Sequence, residues 1–83
     1  MSKGARELYG DWNYCKERLL HAREVFSNKN STADDVRVIE NELAYMYMYC
    51  PEDKSILVLS QLEECGRRLA YFEIREVEKC LQN

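Results

Sequence analysis

The sequence predicts an all-α protein, an antiparallel up-down-up bundle of three helices in which the third is the longest. Three observations carry this. Apolar residues recur at alternating spacings of three and four along three separate stretches. Only three glycines and one proline interrupt 83 residues. The connections between the stretches are short, which makes consecutive helices antiparallel neighbours. One domain is expected over residues 1–83, with helices at about 3–27, 32–49 and 52–82.

The first helix is read from Ala5, Leu8, Trp12, Cys15, Leu19, Ala22 and Phe26, a seam that keeps its phase throughout. Gly10 lies inside it at a cost of about 1 kcal/mol relative to alanine. A start at Asp11 as N-cap would avoid that cost, but would leave Leu8 on the seam without a reason, so the continuous helix is expected. The polar loop 27–31 follows. Ser31 or Thr32 can cap the second helix, and Asp34 and Asp35 favour the positive end of its dipole. Val36, Ile39, Leu43, Met46 and Cys50 form its seam, and Pro51 ends it.

Pro51 can open the third helix, with Glu52 and Asp53 in the first turn; Asp53 or Ser55 as cap would start it later. Its expected seam is Leu59, Leu62, Gly66, Leu69, Val77 and Cys80. Val58, Cys65 and Phe72 widen that seam on one side, and Ile56, Ala70, Ile74 and Leu81 on the other. Gly66 would let a neighbouring helix approach closely. Glu73 falls on the seam centre, so either a base such as Arg23 pairs with it or the helix outruns the bundle. In the second case Phe72, Val77 and Leu81 require cover from a second subunit.

Charge is unevenly distributed over a net −3. Residues 1–30 carry six basic and four acidic side chains, residues 31–53 one and six, and residues 54–83 five of each. The acidic middle and the lack of a concentrated basic face argue against nucleic acid as the main ligand. Lys16, Arg18, Arg23 and Lys29 would be the contacts of that weaker reading, a nucleic-acid-binding regulator. Neither a signal peptide nor a membrane-spanning apolar run is present, so a cytoplasmic location with reduced thiols is expected.

No catalytic constellation is recognisable. His21 is the only histidine and has no partnered nucleophile or acid in a known pattern. Cys15, Cys50, Cys65 and Cys80 lack the close pairing of zinc ligands and fall on or beside apolar helix faces. The expectation is therefore no enzyme, no cofactor and no metal.

The informative stretch is Tyr45-Met46-Tyr47-Met48-Tyr49. At about 100° per residue, Met46 belongs to the second-helix seam and Tyr47, roughly 65° from its centre, still packs inside. Tyr49 lies on the rim, Tyr45 and Val38 further round, and Met48 nearly opposite the seam. Two neighbouring helices cannot cover that arc. Val38, Glu42, Tyr45, Met48 and Tyr49 are thus the expected contact residues of an acidic, Tyr/Met-rich face. The functional expectation is a small non-enzymatic protein-binding module. Inhibitors, immunity-type proteins, chaperones or adaptors, including phage-encoded modulators of a host enzyme, fit that description. Its partner would be a protein, one with a basic surface fitting best. A homodimer or a permanent structural homo-oligomer is the alternative.

Overall fold

The computed structural model describes residues 4–82, and among them the regular structure is helical throughout. Four α-helices follow one another: α1 (Ala5–Tyr9), α2 (Trp12–Ser27), α3 (Ala33–Tyr49) and α4 (Ser55–Gln82), with a short 3-10 turn at Glu52–Lys54 before α4. The expected start at residue 3 lies outside the described residues.

The first expected helix is two helices. Asp11 leaves the helical region at φ −90°, ψ 110°, and its carboxylate accepts a hydrogen bond from the Asn13 backbone N–H at 3.0 Å. It is the N-cap of α2, which satisfies a backbone donor that helix geometry leaves without a partner. The break also explains Gly10. A Cβ built there would stand 2.9 Å from the Arg6 carbonyl oxygen, closer than carbon and oxygen tolerate. The re-phasing brings Tyr9 against the core. Its carbonyl accepts a hydrogen bond from the buried Cys15 thiol at 3.1 Å.

α3 starts as its sequence directs. The Thr32 hydroxyl accepts from the Asp35 N–H, and the Asp35 carboxylate accepts from the Thr32 N–H at 2.8 Å, a reciprocal capping box. It stops at Cys50, whose extended backbone at ψ 161° is what a residue before proline prefers. Pro51 opens the 3-10 turn rather than α4. The Lys54 N–H donates to the Pro51 carbonyl at 2.9 Å, and α4 begins at Ser55, whose hydroxyl donates to the Glu52 carbonyl.

The core sits around α3. Val36, Ile39, Leu43 and Met46 are buried on one of its faces, Cys15 and Ala22 come from α2, and Val58 and Cys65 from α4. Trp12, Leu19, Val25, Phe26, Leu62, Leu69 and Phe72 close the margins. Among the described residues none that is buried is polar or charged. Of the helices that meet α3, α4 packs along it most extensively.

The seam of α4 departs from expectation. The residues that pack are Leu62 and Leu69 of the expected line together with Val58, Cys65 and Phe72, which were expected only to widen it, so the packed face is turned roughly 60° from the expected centre. Gly66 is exposed, and a Cβ there would meet nothing within 4 Å, so no helix approaches it closely. Glu73 is exposed too, because α4 runs on past the bundle. At about 1.5 Å per residue α4 is roughly 40 Å long, and it sets the long dimension of a molecule measuring 51 × 27 × 18 Å. Past Phe72 every described residue is exposed.

Polar latches fix how the helices sit. Arg68 of α4 donates to the Phe26 carbonyl at 2.7 Å, and its guanidinium lies 4.9 Å from the Phe26 ring centroid. This places a cation at the C-terminal, negative end of α2. Glu64 accepts from both Arg67 and Arg68 at 2.8 Å, and these bonds hold its carboxyl below the usual carboxylate range.

Two substitutions test this account. Gly10→Ala would raise the melting temperature if one helix ran through position 10, because alanine is the better helix former by about 1 kcal/mol. With the Arg6 carbonyl in the way, it is expected to lower stability by about 1 kcal/mol, roughly 4–8 °C for a domain of this size. Met46 is fully buried, so Met46→Asp places an unpaired carboxylate in the core and is expected to cost about 4 kcal/mol or more. Urea unfolding followed by circular dichroism measures both.

Candidate protein-binding face

The structure divides the Tyr45–Tyr49 stretch. Met46 is buried, Tyr49 is half-buried, and Tyr45 and Met48 stand 56% and 67% exposed. Val38 is likewise 67% exposed. Tyr47, expected inside, is 43% exposed. It lies on the opposite flank of the core face from Glu42, where α3 adjoins α4. At roughly 60° from the centre of the core face, its ring reaches the edge of what α4 covers and stays largely in water.

Val38, Tyr45, Met48 and Tyr49 define a stripe centred roughly 140° around α3 from the core face of Val36, Ile39, Leu43 and Met46. The α3 backbone is thus held rigidly from behind, and the stripe is presented outward. Asn41 interrupts it with a polar group. At one end Val38 borders a groove between α2 and α3 whose walls include His21, Val25 and Ile39. The chemistry offered is that of a contact surface. Phenol rings and a thioether present large area with few hydrogen-bonding demands.

Glu42 belongs to a different arrangement. Its carboxylate receives the Arg18 Nε–H at 2.9 and 3.0 Å, and the Tyr9 hydroxyl donates to it at 3.1 Å. One side chain of α3 thereby ties down both α1 and α2. The bond to Glu42 raises the Arg18 pKa further above its ordinary value, outweighing partial burial. Burial first, and then the neighbouring Glu42 carboxylate, push the Tyr9 phenol up to about 12. Arg18 is therefore committed within the fold. Of the four bases of the nucleic-acid reading, Lys16, Arg23 and Lys29 are the ones left exposed without such a partner.

The acids around the stripe are also partly engaged. Asp34 accepts from Arg37 at 3.0 Å, and Asp35 serves the capping box. All four cysteines are free thiols. Burial pushes Cys15 and Cys65 up to about 11 and raises Cys50 as well, so these three remain protonated and unreactive at neutral pH. Among the described residues no three His, Cys, Asp or Glu side chains gather into a group that could hold a metal ion. None of the helices there is long and apolar enough to cross a membrane.

The triad of Tyr9, Arg18 and Glu42 escaped sequence reasoning, since its members lie 9 to 33 positions apart and on three helices. The available signal was an acid on the flank of an otherwise apolar seam. No family model, curated protein or solved structure matches the chain.

The triad gives a spectroscopic prediction. A phenol whose folded-state pKa is about 12 rather than 10 holds its proton where the unfolded chain would lose it. Its contribution to stability is fully present below pH 10 and is lost as pH rises from 10 through 12. Tyrosinate absorbance should show a late component, from one phenol, ionising at about pH 12. Tyr9→Phe should remove that late step and flatten the fall in melting temperature over the same window. A native titration with no late component would dismiss the triad.

Proposed function

We propose that the protein is a non-enzymatic protein-binding module of the inhibitor, immunity or adaptor type. In this reading α2, α3 and α4 form an antiparallel up-down-up bundle, with α1 as a short lead-in. The module docks on a partner protein through the outward face of α3. The observation that supports this most is the exposure of Val38, Tyr45 and Met48 together on the side of α3 facing away from the core. Tyrosine and methionine are residues that interfaces favour, because they bury much area while demanding little polar satisfaction. A rigid backing lowers the ordering cost of binding, because the helix that carries the contacts is already fixed.

Tyr49 extends the surface at its rim, and Glu42 supports it from the flank through its ion pair rather than by touching the partner. With Glu42 and Asp34 already engaged by arginines, apolar contact outweighs charge at this face. Basic groups on the partner would find a carboxylate at its margin, at Asp35.

The test combines stability and contact. Tyr45→Ala with Met48→Ala should move the melting temperature by no more than about 2 °C, as surface changes do. A photo-crosslinking amino acid in place of Tyr45, introduced in the source cell, should capture one discrete heterologous protein. The same group in place of exposed Lys16 should not. Adducts with a second copy alone would assign the face to a homo-oligomer, and identical adduct patterns at both positions would remove the proposal.

A further inference from the structure

A second apolar surface lies on α4, well away from the α3 stripe. Ala70, Ile74, Val77 and Leu81 follow one another at spacings of four, three and four, and all are exposed, Leu81 at 81%. This line lies roughly 130° around the helix from the packed face of Val58, Leu62, Cys65, Leu69 and Phe72. From Ile74 onward it occupies the part of α4 past the last packed residue, Phe72. A spacing of four and three is the seam by which one helix packs along another.

Along Ile74, Val77 and Leu81 the charges beside the seam are of one sign, the nearest base, Arg67, lying a turn before Ala70 and bonded to Glu64. Glu73 and Glu78 stand roughly 70° to either side of its centre, whereas Arg75 and Lys79 lie more than about 120° away. With Ala70, Ile74 and Val77, the two glutamates line a shallow groove that holds no base. Arg75 is held back by Tyr71, to whose hydroxyl it donates at 3.2 Å and over whose ring it lies at 5.7 Å. The surface is therefore a narrow aliphatic line between two carboxylates, with the nearby cations turned elsewhere.

We propose that this seam is the docking site for a basic amphipathic helix of a partner protein. The partner's aliphatic residues would interleave with Ile74, Val77 and Leu81, and its lysines or arginines would lie beside Glu73 and Glu78. Charge decides against a second copy as occupant. The bases a second copy has nearest this seam are engaged on their own helix, Arg67 by Glu64 and Arg75 by Tyr71, and in parallel pairing the copy sets Glu73 against Glu78, where unlike charges would be wanted. The proposal is independent of the α3 face and stands on its own test.

The probe is a synthetic helix about 20 residues long, long enough to form in water, with leucine at the three-four spacing and lysine at both flanking positions. A second peptide differs only in carrying glutamate at those positions. Fluorescence anisotropy with the full chain should show the lysine peptide binding about ten-fold or more tighter than the glutamate peptide. Glu73→Lys with Glu78→Lys should invert that preference. Ile74→Asp should abolish binding of both, whereas Tyr45→Ala with Met48→Ala should change neither. Equal binding of the two peptides, binding of neither, or a preference that the charge reversal leaves in place overturns the proposal. So does a dimer in sedimentation velocity that Ile74→Asp disperses, which would assign the seam to a second copy. Should Ile74→Asp reduce helix content, the inversion by the charge-reversed variant decides alone.

Discussion

One apolar face of α3 is what the other elements are built on. Val36, Ile39, Leu43 and Met46 supply half of the buried side chains, and α1, α2 and α4 all pack on that helix. Burying such a side chain is worth about 2 kcal/mol, whereas a partly exposed ion pair such as Arg18–Glu42 contributes about 1 kcal/mol or less. Burial therefore holds the assembly together, and the polar contacts select among ways of achieving it. Arg18 and Tyr9 on Glu42 fix α2 and α1 at one flank of α3. Arg68 on the Phe26 carbonyl fixes α4 against the end of α2. A thin core of interchangeable aliphatic groups would tolerate sliding; these directional bonds do not.

The legibility of each helix in the sequence depended on its punctuation. α3 could be read to within a residue because Thr32 and Pro51 mark its ends and a single seam runs between them. The α1–α2 break was hidden because Ala5, Leu8 and Trp12 fit an uninterrupted seam, and the 1 kcal/mol or so that separates glycine from alanine is too small to overrule that pattern. The Asp11 cap and the close Arg6 carbonyl decide it, and both are local geometry that periodicity does not register. In α4 the difficulty was different. Its 28 residues carry two apolar lines, Val58 to Phe72 toward the core and Ala70 to Leu81 away from it. Averaged into one seam, they give a line between the two that runs through Gly66 and Glu73, both of which are exposed.

Exposure of Val38, Tyr45 and Met48 follows from helix geometry once the core seam is known, so those positions were readable in advance. The placement of Tyr47 was not, because it depends on how closely α4 covers its own side of α3. Nor was the internal role of Glu42, because that depends on where α1 and α2 bring Tyr9 and Arg18. Azimuth on one helix can be computed from sequence; the occupancy of its flanks is a property of the neighbours.

The two outward surfaces differ in how they are supported, and this bears on what each can bind. The α3 stripe lies directly over the core, so its residues are presented by a backbone that the rest of the fold immobilises. Past Phe72 the distal part of α4 is exposed and only borders a groove with the start of α3. A separate helix of that length would be marginal in water, because nucleation is costly. Here the nucleus already exists in the packed part of α4, and each further residue only propagates it. The Tyr71–Arg75 contact adds to the local helix within that segment. A supported, aromatic and broad surface suits a globular partner, whereas a free, narrow and acid-flanked helix suits another helix laid alongside it. The molecule thus offers two contact chemistries on different helices, one ordered by the bundle and one carried beyond it.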